Sequence, residues 1–244
     1  MASDISTEIR RADQRFHTRT EWLDSRHSFS FGPHYDPANT HFGLLMVNNE
    51  DVVAAGRGYD THAHNEMEVL TWVLAGALVH RDSAGHSGVI HPGVAQRMSA
   101  GTGILHSEKS DAGHDVHFVQ MWVVPDTEKI APGYDQLDVG PALESGELLV
   151  VASGMPRHRH DSAISMRQEH AALYAARLAP GAGTVSPVAP LAHLFVARGS
   201  VQLEGAGVLG TGDAARITGA DGQRVTAGPD GAEVLMWEMH ATLG

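Results

Sequence analysis

A duplicated order of short segments constrains this chain more than any other feature. Thr61–Gly76 (THAHNEMEVLTWVLAG) aligns with Thr184–Gly199 (TVSPVAPLAHLFVARG) without a gap, so that Thr61 meets Thr184, Trp72 meets Phe195, Val73 meets Val196 and Gly76 meets Gly199. Pro92–Met98 then parallels Thr211–Ile217, and both halves close on a Met-Trp pair, Met121-Trp122 and Met236-Trp237. One such match carries little weight, because short β segments often look alike. Their shared order points to an internal repeat. A chain of 244 residues then holds two units, each large enough to bury a core.

The segments read as strands. His27–Phe31, Gly43–Asn48, Glu66–Leu74, Val116–Val124, Leu148–Ala152, Leu191–Ala197 and Glu233–Met239 are short, β-branched or aromatic, and bounded by Gly, Pro, Asp or Asn. The 27 glycines mostly punctuate these runs. Helix signals are weak: Ala171–Ala179 suits a helix or a strand, and Asp135–Asp138 a turn or short helix. The expected class is all-β, with two barrels in one chain. The boundary is expected within 125–146, which is rich in Pro, Gly and acid; dividing the chain there gives an N-terminal unit of 1–135 and a C-terminal unit of 136–244.

With 17 Lys+Arg against 29 Asp+Glu, the net charge is −12. That sign argues against a general nucleic-acid or anionic-membrane binder, which needs a basic surface. No apolar run approaches the ~18 residues of a membrane span. The N-terminal MASDISTEIRRADQRF carries charges where a secretory leader needs an apolar centre, so a cytoplasmic protein is expected. Cysteine is absent, which leaves His, Asp and Glu to hold any metal.

Two segments bring those residue types together. One carries His62-x-His64, the other His106-x-Glu108. Residues two apart in a strand share a face. If the two strands are neighbours inside a barrel, three imidazoles and a carboxylate converge, a set that suits a divalent transition metal. The chain has 17 His, so H-x-H pairs also arise by chance. His158-Arg159-His160 is one; beside Arg157 and Arg159 it reads as a solvated loop, because adjacent cations oppose cation binding. The repeat supplies a control. Val185 and Pro187 align with His62 and His64, and Val225 and Ala227 with His106 and Glu108, so the second unit loses all four donors.

Other residues have plainer readings. Glu66 and Glu68 share the parity of His64, and Glu68 reads either as a group orienting an imidazole or as a glutamate at the barrel rim. Gly101 and Gly103 read as a turn that delivers the backbone to the donor strand. They do not make a phosphate loop, because no Lys-Ser/Thr and helix follow. Met46, Met67, Trp72, Phe118, Met121 and Trp122 read as core, with one or two available to line an aromatic pocket.

The donor segments resemble the pirin family of bicupins, and most closely its bacterial quercetin 2,3-dioxygenase branch. The likeness covers nearly the whole chain and is densest from Ser25–Gly32 (SRHSFSFG) through Ala100–Glu108 (AGTGILHSE) to His117–Val123 (HFVQMWV). The string A-G-x-G-I-x-H-S-E with an upstream H-x-H is specific to that family; a lone H-x-H is not. The resemblance implies two cupin barrels face to face, with one N-terminal metal held by His62, His64, His106 and Glu108. Iron is the first expectation, and Cu, Ni, Mn, Zn or Co suit the same three nitrogens and one oxygen. The family usually shows H-P-H-R-G-F-E where this chain has His62-Ala63-His64-Asn65-Glu66-Met67-Glu68, and its Pro-Gly-Asp-Val or Leu becomes Pro92-Gly93-Val94-Ala95. Neither change touches a donor.

The activity implied is cleavage of a flavonol-like, quercetin-type polyphenol with O2, with Glu108 as general base. The alternative from the same family is a metal or redox sensor that regulates a protein partner. Metal binding is expected to weaken as pH falls through ~6.5, where free imidazoles take up protons.

Overall fold

Alternation of side chains decides the architecture. Ile104–Ser110 buries every second residue, as does Leu23–His27, which is the signature of strands with one face on a core. The computed structural model describes residues 5–243; residues 1–4, the start of the charged N-terminal stretch, and residue 244 lie outside the described residues. The first half holds β1 (Ser6–Arg10), β2 (Phe16–Arg19), β3 (Leu23–His27), β4 (Leu45–Val53), β5 (Gly58–His64), β6 (Glu68–Ala75), β7 (Leu78–Asp82), β8 (Ser87–Ile90), β9 (Val94–Ser99), β10 (Ile104–Ser110), β11 (Val116–Val123) and β12 (Gly133–Asp138). After a short helix α1 (Gly140–Leu143) come β13 (Leu149–Ser153), β14 (Ile164–Ser165), β15 (Ala171–Leu178), β16 (Gly183–Val185), β17 (Val188–Leu203), β18 (Gly207–Gly210), β19 (Ala214–Asp221) and β20 (Arg224–Met239).

The fold is all-β with two barrels. The first barrel is a seven-stranded sheet, β12-β9-β6-β11-β4-β3-β2, facing a four-stranded sheet, β5-β10-β7-β8. The second is a nine-stranded sheet whose 16-residue strands β17 and β20 also carry β16 and β18. Two register shifts in the β17–β20 pairing, at Val196/Arg198 and Gly199/Val201, re-aim these long strands as bulges do. Along β6, Leu70, Trp72 and Leu74 enter a core shared with Phe195, Leu235 and Trp237 of the second half, while Val73 turns into the first barrel's own core. The barrels therefore pack face to face. Full burial of each large apolar side chain there contributes roughly 1.5–3 kcal/mol.

Gly76 and Gly199 confirm the repeat. Their φ values are +73° and +72°, and a Cβ at either would sit 2.2 Å or 2.1 Å from a backbone carbonyl, of Asp115 and Gly231 respectively. Only glycine fits both positions. The Met-Trp match is a coincidence of letters. Leu70 pairs with Met121, and its repeat equivalent His193 pairs with Trp237, so Met121 corresponds to Trp237 and the two dipeptides are one residue out of step. Trp237 Nε1 in fact points at Met121 Sδ, 3.4 Å away.

Of the two readings open for Ala171–Ala179, strand holds: Ala171–Leu178 is buried along almost its whole length between β13 and β20. Three other expectations need correction. Asp135–Asp138 belongs to β12, paired residue for residue with β9; the short helix comes after it. A boundary between residues 135 and 136 therefore cuts a strand of the first sheet, while β1, near the N-terminus, pairs with β19 of the second. The strand foreseen at His27–Phe31 ends at His27. Gly32 at φ +55° turns the chain there, and Phe29 leaves for the shared core.

Candidate metal centre

β5 and β10 are antiparallel neighbours, with His62 opposite His106 and His64 opposite Ile104. This pairing turns two H-x-[HE] strings into one cluster. The ring centroids of His62, His64 and His106 lie 4.4–4.9 Å apart, and one donor nitrogen from each lies within 4.8 Å of the others. The His62 Nδ1–H donates to the Asp60 carbonyl at 2.8 Å, which leaves Nε2 as its free lone pair. Nε2 of His64 and both nitrogens of His106 are buried without a hydrogen-bond partner.

Burial, reinforced by the neighbouring imidazoles, pushes His106 down to about 3 and His64 down to about 4. Both rings are neutral at pH 7, the state a metal requires. Orphaned buried imidazole nitrogens are costly. A divalent cation accepting those lone pairs removes the cost, so the residues present fit such an ion.

Glu108 is 2% exposed. Burial pushes its carboxyl up to about 7, against the pull of Gln120 and with a further push from Asp51. Gln120 Nε2 lies 2.9 Å from both carboxylate oxygens, and Gln120 Oε1 accepts the Trp122 indole N–H at 3.0 Å. Glu108 does not join the three histidines in one donor group. Its oxygen groups instead with His80 and His106, again within 4.8 Å. Among the described residues these two overlapping triads are the metal-capable clusters, and both lie in the first barrel.

His80 was missed in the sequence, although His80-x-Asp82 has the parity of the other two pairs. It lies opposite Glu108 on β7, and its side chain is fully buried. Trp122 supplies the aromatic wall: its ring meets His64 edge-on at 4.8 Å and Phe31 at 5.5 Å. Met46 and Met67 are half-buried, whereas Trp72, Phe118 and Met121 are core. A cavity of about 480 Å³ opens beside His64, lined by Ala63, Asn65, Ser83, Gly103, Ile104 and Leu105.

The two glutamates next to the H-x-H serve elsewhere. Glu68 is fully buried and accepts the Arg167 backbone N–H at 2.9 Å, tying the halves together. Glu66 accepts the Lys129 N–H at 2.9 Å. Neither is hydrogen-bonded to an imidazole. His158 donates or accepts locally with Ser153 at 3.0 Å, and His160 is exposed.

Residues 9–123 match the Pirin family, and residues 150–239 match the quercetinase C-terminal cupin domain. A Mycobacterium tuberculosis (strain H37Rv) protein, provisionally named a quercetin 2,3-dioxygenase, is 55% identical over 240 residues, 98% of this chain and 97% of that one. The chain belongs to the pirin family. The quercetin 2,3-dioxygenase of Escherichia coli K12 is 45% identical over 129 residues, 52% of this chain and 56% of its own. The crystal structure of the bacterial pirin YhhW from Escherichia coli in complex with nickel(II) superposes with a TM-score of 0.86 at 32% identity, covering 97% of this chain and 100% of that one. Against the usual pirin pattern, Glu66 stands where glycine is expected and keeps the left-handed backbone, φ +46°. That geometry costs a non-glycine residue about 1 kcal/mol or more, and the bond to Lys129 offsets it. No described helix is long and apolar enough to cross a membrane.

Proposed function

We propose that the chain is a metal-dependent dioxygenase acting on a flavonol-like polyphenol, with His62, His64, His106 and Glu108 holding one divalent transition metal. One observation carries the reading: His62, His64 and His106 converge, with buried nitrogens of His64 and His106 left without a partner, beside a buried carboxylate raised to about 7. The quercetin 2,3-dioxygenase names of the relatives and the nickel in YhhW support the substrate class and the metal class. The bound ion supplies Lewis acidity, which lowers the pKa of a hydroxyl that meets it.

The chain's own groups do the rest. A planar polyphenol enters by the cavity beside His64, whose volume falls in the roughly 300–1,000 Å³ range of small-molecule sites. Leu105 and Ile104 offer apolar surface, and Trp122 and Phe31 offer aromatic edges. Glu108 takes the substrate hydroxyl proton. A base with a pKa near the working pH does this best. Gln120 keeps the carboxylate aimed, and Trp122 keeps Gln120 aimed.

The test is carbon monoxide release and O2 uptake from quercetin, measured on protein loaded in turn with Fe(II), Ni(II), Mn(II), Co(II), Cu(II) and Zn(II). Turnover with at least one ion, lost in His62→Ala, is expected. Metal binding without turnover by any ion would refute the dioxygenase reading and leave a metal-binding protein.

A further inference from the structure

Asp82 sits in the β7–β8 hairpin with its carboxylate surrounded by donors. Oδ1 accepts the backbone N–H groups of Ala84 and His86 at 2.9 and 3.0 Å, and Oδ2 accepts His86 Nδ1 at 3.0 Å and His80 Nε2 at 3.2 Å. The hairpin thus fixes the carboxylate, and the carboxylate fixes the proton of His80 on Nε2. Nδ1 of His80 is left as a bare lone pair, buried and without a partner. Tyr134, delivered by β12, stacks on the His80 ring at 4.8 Å and on His86 at 5.7 Å. The ring is held on its edge by Asp82 and on its face by Tyr134.

The His80 ring lies beside the centre. The rings of His80 and His106 lie 5.3 Å apart, and their donor atoms lie within 4.8 Å, a span that one water bridges. A metal-bound imidazole almost always donates its other N–H to an acceptor, which sets ring orientation and basicity. His62 has such an acceptor in the Asp60 carbonyl. His106 has none among the protein groups bonded to it, since both its nitrogens are unpartnered.

The geometry points to His80 as a positioning residue: held by Asp82 and Tyr134, it presents Nδ1 as the acceptor, through one bridging water, for the N–H of metal-bound His106. This rests on the metal reading above. Asp82, His80 and His106 then form one chain from hairpin to metal, and β7 becomes part of the centre without contributing a ligand.

Nickel(II) alone is the probe, with affinity measured by titration and imidazole N–H signals by paramagnetic proton NMR. The wild-type spectrum is expected to show three shifted imidazoles, one with a slowly exchanging N–H assigned to His106. His80→Phe keeps the ring stack and loses both nitrogens; nickel affinity should fall about 10–100-fold, with the His106 N–H lost to exchange. His80→Gln restores a donor toward Asp82 and an acceptor toward His106, and should recover most of that affinity. Asp82→Asn, close in shape, should shift the His106 signal even if His80→Phe fails to fold.

Four shifted imidazoles in wild type would make His80 a ligand and overturn the assignment. So would wild-type affinity and an unmoved His106 signal in His80→Phe or Asp82→Asn, while leaving the metal reading intact. Failure of the wild type to bind nickel, or undiminished binding by His62→Ala, would sink the metal reading itself.

Discussion

The two barrels share a strand plan and differ in what fills them. The second is packed with Leu194, Val196, Val201, Leu203, Leu209, Val225, Ala227 and Val234, an apolar interior with no metal-capable triad among the described residues. The first gives up much of that interior to His62, His64, His80, His106, Glu108 and Gln120. A polar interior is stable where its groups are paired. Gln120 pairs with Glu108, Tyr59 with Asp51 at 2.8 Å, and His80 with Asp82. Unpartnered buried atoms occur in both halves, among them those of Asn48, Thr71 and Gln96 in the first and His193 in the second, but only the nitrogens of His64, His80 and His106 fall within overlapping donor triads. His193 belongs to no such triad, so the clustering, not the orphaned nitrogen alone, marks where a ligand is due.

The contrast is broken most directly by His106→Ala set against Val225→Ala. The first should lose metal and turnover together, read as metal per chain after gel filtration. The second should leave metal content unchanged and cost only about 1–3 kcal/mol of unfolding free energy, because Val225 is fully buried in an apolar core. Equal metal content in the two variants would abolish the distinction between the barrels.

Glu108→Gln tests whether the first barrel does more than bind. It preserves shape and one carbonyl oxygen while removing the base, so turnover per bound metal should fall about 10²–10⁴-fold. A ratio near one would reduce Glu108 to a ligand.

The pH dependence sharpens the comparison and corrects the expectation drawn from free histidine. His64 and His106 are depressed to about 4 and about 3, so they are already neutral well below pH 6.5. Glu108 is raised to about 7 and must release a proton to hold a cation below that pH. Affinity should therefore fall about tenfold per pH unit below 7, with one proton taken up, and more steeply below about 4. In the metal-free protein the same shifts act on stability. The raised Glu108 contributes stability that is fully present below its unfolded value of 4.5 and lost as pH rises through about 7. The depressed imidazoles contribute stability present above 6.5 and lost as pH falls through about 4 to 3. Proton uptake measured alongside metal release checks this; a three-proton transition centred near pH 6.5 would contradict it.

The smallest effect is at Glu66. Glu66→Gly relieves a left-handed backbone worth about 1 kcal/mol and removes one hydrogen bond of similar size. Thermal stability should change by less than about 1 kcal/mol equivalent. The signal should be greater protease sensitivity around Lys129. A large loss of metal would show that this turn shapes the centre.

The pairing of His62-x-His64 with His106-x-Glu108 was legible because period two is strict in a strand, and both pairs lie where the family motif puts them. His80-x-Asp82 obeyed the same rule and was passed over, because nothing in its letters says that β7 lies beside β10. The aligned partners of the second donor strand were misplaced for a related reason. His62 pairs with His106, but Val185 pairs with Arg224 and not Val225. The first barrel carries a register shift between His106 and Glu108. A bulge moves register by one without leaving a mark in composition. The role of Glu68 was also unreadable, since its partner Arg167 lies 99 positions away. The strand-to-barrel assignment failed at β1 and β12 because edge pairing is decided in space and not along the chain.

β1 has a consequence for how the protein is made. Ser6 pairs with Thr218, so β1 leaves the ribosome well before the strand it pairs with. At 5–20 residues per second, the intervening roughly 200 residues take about 10–40 s. During that time the first barrel can form its own sheets, but the N-terminal strand waits outside it with an unsatisfied edge. The first barrel cannot be released as a finished product by truncation after β12, because the truncated chain would keep β1 and lose the sheet it completes.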